Sequence, residues 1–249
     1  VCIVPQPDWH GDYRDFRKLG RPRLFFGIAP GCMDSMVNKY TANRRLRSED
    51  AYSPDGRHDM RPEYPTIVYS RILKELYPDV PVVLGGIEAS LRRVTHYDYW
   101  KERLMPCILA DSGADLIIYG MGELPLVDLC KTIDQHLLHG REESFCSAEQ
   151  FNSLMRKYPV RQTVTLQQKE DIFGGIKEDD IQLHSHEDCL VNKRHYAENF
   201  RHIEEESNRL HPQRILQQLG NKYVVVNPPY PPMTTEQIDR SFDFPYTRL

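Results

Sequence analysis

Val80 to Ser90 reads Val-Pro-Val-Val-Leu-Gly-Gly-Ile-Glu-Ala-Ser, and Ala114 to Glu123 reads Ala-Asp-Leu-Ile-Ile-Tyr-Gly-Met-Gly-Glu. Each is an apolar run ending in glycines and a carboxylate. Unbroken apolar, β-branched runs are what a parallel strand buried on both faces requires. Glycines at the carboxyl end let the backbone turn sharply and come close to a ligand. Ligands of open α/β sheets sit beyond the carboxyl ends of the strands. The two endings therefore predict a binding crevice around Gly85, Gly86, Gly120 and Gly122.

The surrounding pattern predicts an α/β fold with a doubly wound, Rossmann-like, mostly parallel sheet over residues 1–145, and a smaller α+β appendage over 146–249. Val1–Pro5 and Arg23–Ala29 read as strands, with short helices over Asp12–Leu19 and Met33–Tyr40. Pro65–Tyr77 reads as a helix: Val68, Ile72, Leu73 and Leu76 share one face, and Pro65 suits the first turn. Strands follow at Val82–Leu84 and Leu116–Tyr119, with helices expected over 98–111 and Leu124–Leu138, the latter stopping before Gly140. Beyond 145 the alternation weakens. Val160–Leu166 and Tyr223–Val226 read as strands, and His195–Leu210 and Pro212–Leu219 as helices. The rigid Asn227-Pro-Pro-Tyr-Pro-Pro232 follows, and Thr234 with Gln237 forms a capping-box start for a last helix.

With 40% hydrophobic and 27% charged residues and a net charge of -4, the 249-residue chain has the composition of a soluble globular protein. It has no electrostatic bias toward nucleic acid and no apolar run near the roughly 20 residues of a membrane helix. Six cysteines, at 2, 32, 107, 130, 146 and 189, form no Cys-x-x-Cys pair. They suit reduced thiols in the cytoplasm. Val1-Cys2-Ile3-Val4 starts within an expected strand, and Phe242–Leu249 stops in an aromatic segment, so the chain is expected to be a piece of a longer protein.

Gly85-Gly86-Ile-Glu88-Ala-Ser90-Leu-Arg92-Arg93-Val-Thr-His96-Tyr97-Asp98-Tyr99-Trp100, Asp111-Ser112 and Tyr119-Gly120-Met-Gly122-Glu123 are more specific than a glycine pattern. Together they closely resemble the N-terminal region of the YgiQ-type radical SAM proteins, a bacterial family of unassigned reaction. Supporting pieces are Gln6-Pro7-Asp8-Trp9, Leu24–Gly27, Met33-Asp34-Ser35-Met-Val-Asn38-Lys-Tyr40-Thr41 and Asn227-Pro228-Pro229. The resemblance spans nearly the whole chain and is weakest between about 165 and 195. It implies a cobalamin-binding-like domain ahead of a radical SAM barrel, which holds a 4Fe-4S cluster and S-adenosyl-L-methionine on a Cys-x-x-x-Cys-x-x-Cys motif. That motif is not in this sequence and is expected beyond Leu249, so the fragment alone is expected to bind neither group. The candidate binding residues are Gly85, Gly86, Glu88, Ser90, Arg92, Arg93, Gly120, Gly122 and Glu123, with Asp34, Ser35 and Asn38; no catalytic or metal-ligating residue is assigned.

Other constellations are weaker. Asp8-Trp9-His10 imitates the start of the Asp-x-His-x-x-Gly cobalt-ligating motif, but Tyr13 replaces the glycine, which argues against cobalamin. His184-Ser-His186-Glu-Asp188-Cys189 is irregular for a metal site and reads as a loop entering a helix. Arg92 and Arg93 could clamp an anion or pair with Asp98 and Glu102. The arginines at 44, 45, 47, 57 and 61 could touch RNA, although Glu49, Asp50, Asp55, Asp59 and Glu63 interleave with them. The expected role is accessory: placing a small-molecule or RNA substrate, or a second cofactor, over the chain's own radical SAM domain beyond Leu249. The alternative is a non-enzymatic binding module for a nucleotide-like or corrinoid ligand.

Overall fold

The computed structural model describes residues 1–58, 60–139 and 145–245. The first half of the chain forms α1 (Arg14–Arg17), β1 (Phe26–Ile28), α2 (Ser35–Lys39), α3 (Pro65–Leu76), β2 (Val82–Leu84), α4 (Gly86–Leu91), β3 (His96–Asp98), β4 (Arg103–Met105), α5 (Ile108–Ser112) and β5 (Leu116–Ile118). The second half forms α6 (Glu123–Ile133), α7 (Ala148–Lys157), β6 (Thr163–Gln168), β7 (Ile181–Leu183), α8 (His186–Val191), α9 (Lys193–Ser207), β8 (Ile215–Leu219), β9 (Lys222–Val226) and α10 (Thr235–Phe242).

Seven of these strands make one mixed sheet in the order β1-β2-β5-β6-β9-β8-β7, while β3 and β4 form a separate antiparallel hairpin. The β1-β2-β5 part is parallel. From β5 across β6 and β9 to β8 every neighbour is antiparallel, and β7 returns parallel to β8. The fold is α/β, and strands from both halves of the chain share the sheet.

Alternating side chains of the parallel strands divide the core, as the two-residue period of a strand demands. Val82, Leu84 and Ile117 face a cluster with Ile72 and Leu73 of α3 and Ile108 of α5. Val83, Leu116 and Ile118 face Leu129 and Ile133 of α6 and Phe151, Leu154 and Met155 of α7. Helices thus cover both faces, and the continuous apolar runs follow from that. Ser147 and Gln150 close a reciprocal capping box at α7, as Thr234 and Gln237 do at α10.

Several sequence expectations are corrected. Val1–Pro5 forms no strand, and Val1 and Ile3 are exposed. Residues 98–111 are not one helix. Asp98 accepts the backbone N–H groups of Trp100 and Lys101 at 3.0 and 2.9 Å, which closes a turn between β3 and β4 in competition with helix. Pro212–Leu219 is not a helix either: Ile215–Leu219 is a strand paired with β9 around Gly220-Asn221, and Leu219 stands opposite Lys222. The helix after Leu124 is α-helical to Ile133 and closes with a π turn over 134–138. Gly140, Asp59 and the last residues of the 242–249 segment lie outside the described residues.

Candidate functional site at the strand ends

The carboxyl ends of β1, β2 and β5 are tied together by backbone and by one hydroxyl. Gly85 N–H donates to Ile28 O at 2.8 Å. Gly86 has φ +78°, and a Cβ there would stand 3.1 Å from Gly31 O in the loop after β1. Only glycine meets both conditions without strain. Ser90, one turn along α4, donates to Gly86 O at 2.8 Å and accepts the N–H of Gly120 at 3.0 Å. Gly120, at φ +67°, is the turn out of β5. Gly85 has ordinary extended backbone, and Gly122 is an αR residue at the N-cap of α6. Glu123 follows it, exposed, in the first helical turn, where its charge complements the helix dipole.

Beneath these turns lies a buried polar network. Asp34 caps α2 by accepting Met36 N–H at 3.0 Å and forms a short ion pair with Arg92 of α4. The same guanidinium donates to Glu88 O at 3.3 Å. Glu88 is wholly buried; its Oε2 accepts Thr66 Oγ1–H at 2.8 Å, while Oε1 has no partner among the described residues. Burial pushes the Glu88 carboxyl up to about 7, against the pull of Arg92 and the Thr66 hydrogen bond. Asn38 donates to Asp50 at 2.6 Å, which also accepts Ser53 Oγ–H at 2.8 Å and lies 3.5 Å from Arg61.

Buried polar groups are ordinarily paired, and α3, α4 and the segment before them hold exceptions. Ser35 Oγ, Tyr69 OH, Ser70 Oγ and Arg61 Nε, like Glu88 Oε1, have no hydrogen-bond partner among the described residues. Thr66, Tyr69 and Ser70 lie on one face of α3 by helical spacing. The field of Glu88 reaches Tyr69, whose hydroxyl burial pushes up to about 12. Glu88 Oε1 can accept a hydrogen bond, and the hydroxyls of Ser35, Ser70 and Tyr69 can each donate one.

Arg92 and Arg93 have parted company. Arg92 pairs with Asp34 rather than with Asp98 or Glu102, and Glu102 instead pairs with Arg44 at 2.6 Å. Arg93 donates to Ser90 O at 2.7 Å and lies 5.2 Å over the Tyr119 ring. No carboxylate pairs with it among the described residues, and burial lowers its pKa. Of the two it is the one without an ion pair, although the charge of Glu204 acts on its guanidinium.

Gln162, which sequence reasoning did not single out, completes the strand-end frame. Its Nε2 donates to Tyr119 O at 2.8 Å and Met121 O at 2.5 Å, and its Oε1 accepts Tyr230 N–H at 3.2 Å. Tyr119 OH donates to Asn227 O at 2.6 Å, and Arg161 donates to Pro229 O at 2.7 and 3.1 Å. The Asn227–Tyr230 segment is therefore strapped to the end of β5. Nothing in the local sequence marks Gln162; only its φ of +60° and its position before β6 set it apart. Thr66, which donates to Glu88, is one of two small hydroxyl residues of α3, the other being Ser70.

The cofactor-related motifs have different settings. His10 is exposed and bonded through Nδ1 to Asp8 at 3.2 Å, in a loop that no strand precedes, and Tyr13 occupies the left-handed region at φ +53°. These residues do not fit cobalt ligation by histidine. Cys107 is pushed up to about 12 by burial, and Cys146 and Cys189 to about 11, away from the thiolate that binds iron. No three His, Cys, Asp or Glu side chains converge among the described residues, so the residues present do not fit an iron–sulfur cluster. His184 engages Glu198 at 2.7 Å, and His186 faces Thr95 Oγ1 at 3.0 Å. The Asp188 carboxylate closes a capping box with Ser185. No described helix is long and apolar enough to cross a membrane.

Residues 1–249 match the family model for the radical SAM N-terminal domain. The chain is 61% identical over 249 residues to a UPF0313 protein of Bacteroides thetaiotaomicron and 62% identical over 249 residues to one of Porphyromonas gingivalis. It is 39% identical over 249 residues to a UPF0313 protein of Geobacter sulfurreducens. All of this chain is covered in each case, but only 39%, 37% and 38% of those three proteins. The chain thus spans less than two fifths of the length of these relatives. No solved structure matches it. The residues that fix the strand-end turns are those that carried the YgiQ-type resemblance, and by the full-length match this chain belongs to the radical SAM N-terminal domain family.

Proposed function

We propose that this chain is the N-terminal accessory domain of a radical SAM, iron–sulfur enzyme, and that its strand-end site holds substrate or a second cofactor against a downstream barrel. The barrel would carry the 4Fe-4S cluster and S-adenosyl-L-methionine, which supply the radical; this chain's own part is binding and orientation. One observation carries the reading. The Asn227–Tyr230 segment, whose counterpart in the resembling family leads to the barrel, is pinned by Gln162 and Tyr119 beside the Gly120 turn. A domain continuing from that segment would start at the mouth of the site.

Within the site, Arg93 would meet an anionic group, while Ser35, Tyr69, Ser70 and Glu88 would meet neutral polar groups. The parallel β1-β2-β5 unit, with helices on both faces and glycines at its carboxyl ends, supports a Rossmann-like, cobalamin-domain-like ancestry, with His10 unsuited to hold cobalt. The buried free thiols suit a reducing compartment such as the cytoplasm.

The test is the parent polypeptide. It should carry Cys-x-x-x-Cys-x-x-Cys after the Asn-Pro-Pro segment and, reconstituted anaerobically with iron and sulfide, cleave S-adenosyl-L-methionine. A parent without that motif, coupled with tight ligand binding by residues 1–249 alone, would establish the non-enzymatic binding module instead.

A further inference from the structure

The last helix, α10, is built to form but buries none of its eight residues. Its start is fixed by the capping box: Thr234 Oγ1 accepts Gln237 N–H at 3.3 Å, and Gln237 Oε1 accepts Thr234 N–H at 3.0 Å. Ile238 and Phe242 stand one turn apart on the same face, 38% and 69% exposed. Glu236, Asp239 and Arg240 fall away from that stripe by helical spacing. Isolated helices shorter than about 12–15 residues are marginal in water. Eight residues with an open apolar stripe need a surface to lie on.

The chain just before α10 is anchored and then stiff. Tyr230 donates its N–H to Gln162 Oε1 at 3.2 Å and its hydroxyl to Asp128 Oδ2 at 2.5 Å. Pro231 and Pro232 follow, both exposed. Proline-rich chain is extended and semi-rigid, so residues 231–234 act as a spacer between the strap and α10. This chain covers 39%, 37% and 38% of the three relatives named above, so more than half of each lies outside it. A free partner needs a specific interface of roughly 1,200–2,000 Å², which a stripe of two large apolar side chains does not supply. A domain on the same polypeptide needs far less, because a short tether raises its local concentration to the millimolar range.

We propose that the apolar stripe of α10 docks in an apolar groove on the downstream barrel of its own polypeptide, with Ile238 and Phe242 as the two anchors. Recognition is of the helix-in-groove kind, in which side chains one turn apart enter adjoining pockets. The helix then serves as the joint between the two domains and fixes where the barrel stands relative to the strap at the strand-end site. This inference rests on the accessory-domain reading given above.

Amide hydrogen exchange of the full-length parent, alongside residues 1–249, tests this. The amides of 238–243 should exchange at close to the unprotected rate in residues 1–249 and roughly tenfold or more slowly in the parent. In the parent, Ile238→Ala with Phe242→Ala raises helix propensity yet should return those amides to the fast rate. Arg240→Ala, on the opposite side of the helix, should keep them slow. Fast exchange in the parent, or protection kept by the double variant, would overturn the proposal. So would protection already complete in residues 1–249, which would assign the stripe to a second copy if it grew with protein concentration. Cluster assembly and S-adenosyl-L-methionine cleavage, measured on the same parent sample, separate the two levels. A parent that cleaves S-adenosyl-L-methionine with α10 unprotected keeps the accessory-domain reading and loses the docking, whereas one that assembles no cluster overturns both.

Discussion

Ser90 Oγ accepts the backbone N–H of Gly120 at 3.0 Å while donating its proton to Gly86 O at 2.8 Å. One hydroxyl therefore clasps the exits of β2 and β5, and neither backbone group has to find another partner at the turn. Ser90→Ala leaves the Gly120 N–H without this acceptor. The expected cost is about 1 kcal/mol, a typical net value for one hydrogen bond, read as a lower urea midpoint with unchanged slope. An unaltered midpoint would mean that the two turns hold themselves without the clasp.

Gly86→Val combines a left-handed backbone with a Cβ that meets Gly31 O at 3.1 Å. It should lose on the order of 1–3 kcal/mol. Gly85→Ala should be mild, because the backbone there is extended and the new Cβ would lie 3.9 Å from Ile118 O. Lys131→Ala, on the exposed side of α6, is the neutral comparison. Thermal melts of the three variants should rank in that order, and equal melts for Gly86→Val and Gly85→Ala would show that the turn tolerates a side chain.

Glu88 gives the fold a pH signature. Its carboxyl is pushed up by burial to about 7 in the folded chain, against an ordinary value of 4.5. A raised folded value means the folded state holds the proton more tightly than the unfolded one. The associated stability is therefore fully present below pH 4.5 and is lost as pH rises through 7. The amplitude is on the order of 3 kcal/mol for a shift of this size. Glu88→Gln should flatten stability between pH 5 and 8, since its amide does not titrate over that range. A variant with the same pH slope as the parent would place the proton elsewhere.

The sequence made the parallel unit legible because its physics is local. Val82–Leu84 and Leu116–Ile118 are short, wholly apolar and bounded by glycine, while Pro65 opens α3. The elements that failed are those decided by tertiary partners. Ile215–Leu219 carries two glutamines that break strand alternation, and one of them, Gln217, is buried to serve Thr95 N and His184 O. The Gly220-Asn221 pair between it and Tyr223 was the available hairpin signal. In the site, the glycine turns could be read from composition. The Asp34–Arg92 pair could not, since 58 residues separate its members and Arg92 has nearer carboxylates at Asp98 and Glu102.

That pair is expected to be unforgiving. Both side chains are about nine-tenths buried, and removing one partner leaves the other charge stranded, typically at 3–5 kcal/mol. Asp34→Ala and Arg92→Met should each be strongly destabilising, and the double variant much less so than their sum, which a double-mutant cycle by denaturant unfolding measures. Additive losses would show that the two charges are stabilised separately.

The most direct measurement is 5′-deoxyadenosine release from S-adenosyl-L-methionine by the anaerobically reconstituted full-length parent, alongside residues 1–249 treated identically. The full-length protein should take up iron and sulfide, turn brown and release the product, while residues 1–249 should do none of the three. A full-length protein that binds no cluster, or residues 1–249 that assemble one and cleave the cofactor alone, would contradict the assignment of this chain as the accessory domain of a radical SAM enzyme.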